Sequence, residues 1–77
     1  MKLELDRERD IALVILQERP IARSADLGSG RFVYYDEHDN VISYEFSQVS
    51  LGVDLSGLPD GQPLAELFSQ HGIAILA

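Results

Sequence analysis

The segment that most restricts this chain is Ile11-Ala12-Leu13-Val14-Ile15-Leu16, an unbroken run of six apolar residues. It is too short for a typical helix and rich in Ile and Val, so the stretch from Ile11 to Gln17 reads as a strand. Side chains alternate between the two faces of a strand. Ala12, Val14 and Leu16 therefore face one way, and Ile11, Leu13 and Ile15 the other. A strand that is apolar on both sides calls for cover on both sides. Leaving Ile11, Leu13 and Ile15 in water would forgo about 1.5–3 kcal/mol for each side chain. The expectation is that a helix seals one face and a second copy of the chain seals the other, so that Leu13 is buried by one of them.

The rest of the chain supplies the parts. Short β-forming stretches read as strands at 2–5, 21–27, 31–36 and 41–48, with a charged turn at 6–10 and a tight Gly28-Ser29-Gly30 connection. Glu18-Arg19-Pro20 breaks the apolar strand, because proline donates no ladder hydrogen bond. Residues 51–62 are rich in Gly, Ser, Pro and Asp and read as a connector. Pro63 suits a first helical turn and Gly72 a C′ position. Between them Leu64, Leu67, Phe68 and His71 fall on one helical face. The expected fold is α+β over residues 1–77. An antiparallel sheet of about five strands is built from hairpins in residues 1–50. A short C-terminal helix packs on one face, and residues 73–77 form a possible last strand.

With 77 residues and no cysteine, a domain of this kind has neither disulfide nor thiolate metal site to reinforce it. Unstapled domains of this size often pair with themselves, which again points to a homodimer. The absence of cysteine fits a reducing cytoplasm. No secretory signal opens the sequence, and no apolar run approaches the roughly 18 residues of a membrane span.

The stretch Asp36-Glu37-His38-Asp39-Asn40 invites a metal-site reading, yet a hairpin bend accounts for every residue in it. Asp39 and Asn40 tolerate the positive φ of short loops, and the Asp36 side chain suits backbone amides in a bend. A calcium loop would place Gly where Val41 stands and Glu where Ser47 stands. Alternation along the flanking strands puts Phe32 and Tyr34 with Ile42, Tyr44 and Phe46, leaving Val41, Ser43, Glu45 and Ser47 solvated or facing a partner.

Charge is distributed unevenly. The net charge is −7; residues 1–31 carry six acids and six bases, whereas residues 32–77 carry seven acids and no Lys or Arg. Nucleic acid would be repelled, and a basic protein partner attracted. Such a balance also favours solubility.

Constellations that do chemistry are sparse. There is no Gly-rich phosphate loop before a helix, no cysteine nucleophile and no serine elbow. His38 reads as a solvated turn residue and His71 as a helix-end residue with a capping or packing role. Asp6, Asp10 and Glu45 are the candidates for a divalent-metal or ligand site, but Arg7 and Arg9 interleave with the first acids and suit local ion pairs.

Asp6-Arg7-Glu8-Arg9-Asp10 before an apolar strand, then Asp36-Glu37 and, after a short turn, Val41-Ile42-Ser43-Tyr44-Glu45-Phe46, resembles a small prokaryotic family, domain of unknown function 2283. The match covers residues 1–50. Asp6, Asp10, Asp36, Glu37 and Glu45 stand where the family pattern has acids. Asp39 and Ser43 replace its turn and strand glycines. The resemblance implies a compact antiparallel β domain and brings no established activity. Some members are encoded beside small toxin-like nucleases, which implies an antitoxin-like role by analogy.

The expected function is thus a cytoplasmic, non-enzymatic protein–protein interaction module without a cofactor. Its interaction surface is Ile11, Leu13, Ile15 and Glu45. Its partners are a second copy and a basic protein, not nucleic acid or membrane. The alternative is a small metal- or ligand-binding protein using Asp6, Asp10 and Glu45.

Overall fold

The computed structural model describes residues 1–77. Five strands form one antiparallel sheet: β1 (Lys2–Asp6), β2 (Ile11–Ile15), β3 (Arg23–Gly28), β4 (Arg31–Tyr35) and β5 (Val41–Ser47). Their order across the sheet is β1-β2-β5-β4-β3. The β1–β2 hairpin and the three-stranded β3-β4-β5 meander are therefore joined by the pairing of β2 with β5, in register Ala12 with Phe46 and Val14 with Tyr44. A 3-10 turn (Val49–Leu51) follows, and the helix α1 (Gly61–Gln70) lies against the sheet.

Each turn has a local cause. Between β3 and β4, Ser29 and Gly30 have φ of 56° and 72°. Two consecutive positive values define the hairpin turn whose twist matches the flanking strands. Between β4 and β5, the Asp36 carboxylate accepts hydrogen bonds from the backbone N–H of His38 and of Asn40, both at 2.9 Å. Asp39 takes the positive φ of 63°. The bend expected at residues 36–40 is present.

One face of the sheet carries the core. Ala12, Val14, Val33, Tyr44 and Phe46 are buried there, together with Leu64 and Phe68 of α1. The Phe46 and Phe68 rings meet edge-on, with centroids 5.1 Å apart. Tyr44 is buried to its hydroxyl, which donates to Asp60 Oδ2 at 3.0 Å. Asp60 stands at the N-cap of α1 but makes no capping bond with its side chain. Its carboxylate satisfies the tyrosine instead, as a buried hydroxyl requires. At the other end Gly72 (φ 71°) completes a Schellman closure, with Ile73 N–H donating to Phe68 O and Gly72 N–H to Ser69 O.

Residues 51–62 are more than a connector. Val53 and Leu55, with Val49 just before them, are buried in the same core. The polar chain between them is held by Arg31, which donates to the carbonyls of Leu27, Gly28, Asp54 and Ser56. Only a guanidinium offers a fork of donors wide enough to hold two separate segments in this way.

Several expectations are corrected. Phe32 and Tyr34 lie on the opposite face from Tyr44 and Phe46. The register shifts between Tyr34 and Tyr35, where Ile42 is the extra residue, so that Phe32 opposes Glu45 and Tyr34 opposes Ser43. The displaced Ile42 carbonyl accepts from both Leu16 and Gln17 N–H. The helix covers one side of β2, as expected, and that side is the one of Ala12 and Val14, with Leu13 on the other. The strand expected at residues 21–27 begins at Arg23, after Pro20. Residues 73–77 add no strand to the sheet. They make a single parallel bridge, Ile75 to Val53, alongside the 51–62 segment. At their crossing Leu76 lies against Gly52, where a Cβ would come within 2.8 Å of it.

Phe68→Ala removes the largest helix side chain in the core and should lower the unfolding free energy by about 3–5 kcal/mol. Urea denaturation measures this. A loss within about 1 kcal/mol would mean that the helix is not docked as described.

Candidate functional site

The second face of the sheet is covered by neither α1 nor the chain that follows β5. Ladder partners share a face, so the registers place its side chains in transverse rows. Next to one another across the sheet stand Glu4, Leu13, Glu45, Phe32 and Asp26. The neighbouring row is Lys2, Ile15, Ser43, Tyr34 and Ser24. Asp6, Ile11 and Ser47 form a third, shorter row. The middle row alternates acid and hydrophobe across all five strands.

Leu13, Ile11, Ile15, Phe32, Tyr34 and Glu45 are all half-buried by one another, whereas Ser43, between Ile15 and Tyr34, is buried. Ile11, Leu13, Asp6 and Glu45 border one shallow groove of about 360 Å³, together with Glu4 and Arg9. The four residues singled out from sequence as an interaction surface, Ile11, Leu13, Ile15 and Glu45, thus sit on one face. Phe32, Tyr34, Glu4 and Asp26 join them.

Glu45 lies at the centre of this face. Its Oε1 accepts the Tyr34 hydroxyl at 3.3 Å, and Leu13 and Phe32 flank it on the two neighbouring strands. Burial, and then the Glu45 charge and hydrogen bond, push the Tyr34 hydroxyl above its ordinary pKa, so it remains a donor at neutral pH. Glu45 has no cationic partner within the chain; the seven ion pairs all lie elsewhere.

Asp6 adjoins both the groove of Glu45 and the cleft of Asp10, but each of the three candidate metal ligands has its own hydrogen-bond partner. Asp6 accepts the Arg9 N–H at 3.0 Å, closing the β1–β2 turn. Asp10, with φ 57°, accepts the Ser50 N–H at 3.0 Å and the Ser50 hydroxyl, and so clasps the 3-10 turn to the sheet. It borders a different cleft from Glu45, one shared with Val49, Ser50 and His71. No group of three or more His, Asp or Glu side chains is arranged to hold a metal ion. His38 is exposed beside Glu37. His71 Nδ1 lies 2.9 Å from Leu67 O at the end of α1, where a capping residue stands.

Asp36 is the most enclosed carboxylate, 3% exposed. Burial alone would raise its pKa. Hydrogen bonds from the Asn40 backbone and side chain, from the His38 backbone and from Arg19 outweigh burial and hold it at about 2. Asp54 is likewise lowered, chiefly by the side chain and backbone of Ser56. Both are structural acids: Asp36 shapes the β4–β5 bend and Asp54 the segment that packs on the helix-side core.

Compared with known proteins, the chain matches no family model, no curated protein and no solved structure. The resemblance of residues 1–50 therefore rests on the quoted residues alone.

A carboxylate whose folded pKa is depressed stabilises the fold above its unfolded pKa and loses that contribution as pH falls through the folded value. The Asp36 contribution should therefore be complete above about pH 5, fall through the folded value of about 2 and vanish toward about pH 1. Denaturant unfolding followed from neutral to acid pH checks this. Stability should fall over that window in the parent chain, and Asp36→Asn should flatten the fall. An equally steep fall in the variant would assign the acid sensitivity to other groups.

Proposed function

We propose that this chain is a non-enzymatic protein-binding module whose open sheet face receives a basic, amphipathic helix of another protein. The observation that carries the reading is the middle row. Its three acids, Glu4, Glu45 and Asp26, are separated by Leu13 and Phe32 on a face that nothing in the chain covers.

The spacing selects the partner. Neighbouring strands lie about 4.8 Å apart, so successive acids of the row are roughly 10 Å apart. A helix rises about 1.5 Å per residue, and 10 Å is then about seven residues. A helix crossing the strands would meet the acids with Lys or Arg at every seventh position, and Leu13 and Phe32 with apolar residues halfway between. The mid-row Glu45 disfavours a second copy laid face to face, because two such carboxylates would be desolvated against one another. A base from a different protein resolves that conflict and adds the steering that the net charge of −7 provides. Neutralisation of a basic toxin-like protein is one form this activity would take, and it accords with the resemblance in residues 1–50. The fold contains no helix long and apolar enough to cross a membrane.

A photo-crosslinking residue placed at Phe32 tests the proposal in cells of the source organism, with the same residue at Ser69 of α1 as control. The expected adduct forms at Phe32 and not at Ser69. It maps to a segment with bases seven residues apart, and it is lost on Glu45→Lys. Absence of an adduct, or one indifferent to Glu45→Lys, would sink the assignment.

A further inference from the structure

We infer that the outer edge of β1 pairs with the same edge of a second copy, antiparallel and centred on Leu3, so that two five-stranded sheets become one. This assembly does not rest on the helix-binding reading: it uses the edge of β1 and shares only Glu4 with the middle row of the open face.

β1 ends the sheet and pairs only with β2. No backbone hydrogen bond outside the ladders involves residues 1–6, so the outward N–H and C=O groups of β1 have no partner in the chain. An edge of this kind is a template for another strand. Which strand it accepts follows from side-chain matching. About a two-fold axis perpendicular to the sheet, directly opposed residues share a face, so the sum of their numbers is even. Centring on Leu3 opposes Lys2 with Glu4 of the second copy, Glu4 with its Lys2, Leu3 with its Leu3 and Leu5 with its Met1. Every opposed pair is then either of unlike charge or apolar. The adjacent permitted registers fail: centring on Glu4 sets Glu4 against itself, and centring on Lys2 sets Lys2 against itself. Like charges directly opposed destabilise a ladder.

Packing points the same way. Leu3 and Leu5 lean on the helix-side core but are only partly buried, and Met1 beside them is 51% exposed. A second edge would carry the core across the junction and cover all three. Lys2 already turns along the open face toward Glu4, 3.5 Å away, so the charges that would interlock lie on the same side. The other free edge, β3, lacks these properties. Arg23 is folded back onto Asp39 and stacked 3.9 Å over the Tyr35 ring, and the register slips before Gly28. Centred on Ala25, that strand would oppose Arg23 with Leu27 and Ser24 with Asp26, with no unlike charges facing.

Charge reversal tests the pairing directly. Light scattering at micromolar concentration should give the parent chain twice its 8.6 kDa mass. Lys2→Glu alone and Glu4→Lys alone should each halve that mass, since both then oppose like charges. An equimolar mixture of the two variants should recover the doubled mass, because each supplies what the other lacks. The double variant should recover it too. All these positions are exposed or half-buried, and circular dichroism verifies that each variant stays folded. A monomeric parent chain overturns the inference. So does a doubled mass that survives either single reversal, which would place the contact on another surface, or a mixture that stays monomeric.

Discussion

The ladder between β2 and β5 is the contact on which the rest depends. The hairpin ending at Ile15 and the three-stranded meander beginning at Arg23 have no other ladder in common. Their union brings Ala12 and Val14 beside Phe46 and Tyr44, and that patch is what the helix side chains Leu64 and Phe68 bury against. Burial of each such side chain contributes about 1.5–3 kcal/mol, against a total stability that for a domain of this size is only about 4–11 kcal/mol. The helix has ten residues and would not persist alone. Sheet closure and helix docking are therefore one cooperative event.

Polar side chains complete what the apolar core begins. Asp10 holds the 3-10 turn through Ser50, Arg31 holds the chain at Asp54 and Ser56, and Tyr44 holds the helix entry through Asp60. Each joins the sheet to the segment that follows it. No buried side-chain nitrogen or oxygen is left without a partner. A segment composed like a linker is thereby ordered, and its Val53 and Leu55 enlarge a core that the sheet and one short helix alone would leave small.

Much of this was legible in the residues. The strands from Ile11, Arg31 and Val41 and the helix ending before Gly72 follow from local composition, turn chemistry and periodicity, all of which act over a few neighbours. The clasps were not legible, because Asp10 and Ser50 are forty positions apart in the chain and nothing local announces their meeting. The face on which Phe32 and Tyr34 stand is not legible in the sequence for a related reason. A single extra residue at Ile42 inverts the alternation across the hairpin, and a bulge of that kind leaves no compositional trace. Ile11, Leu13, Ile15 and Glu45 were visible as a candidate surface because they lie on β2 and β5 with regular alternation. Glu4 and Asp26 required the strand order.

The middle row of the open face has one more implication. Its five members come from five different strands, spread from Glu4 to Glu45 in the chain. No linear piece of the polypeptide contains the pattern, and a collapsed or partly melted chain scatters it. A partner of the proposed kind would therefore act as a sensor of successful folding, engaging only molecules that have finished assembling.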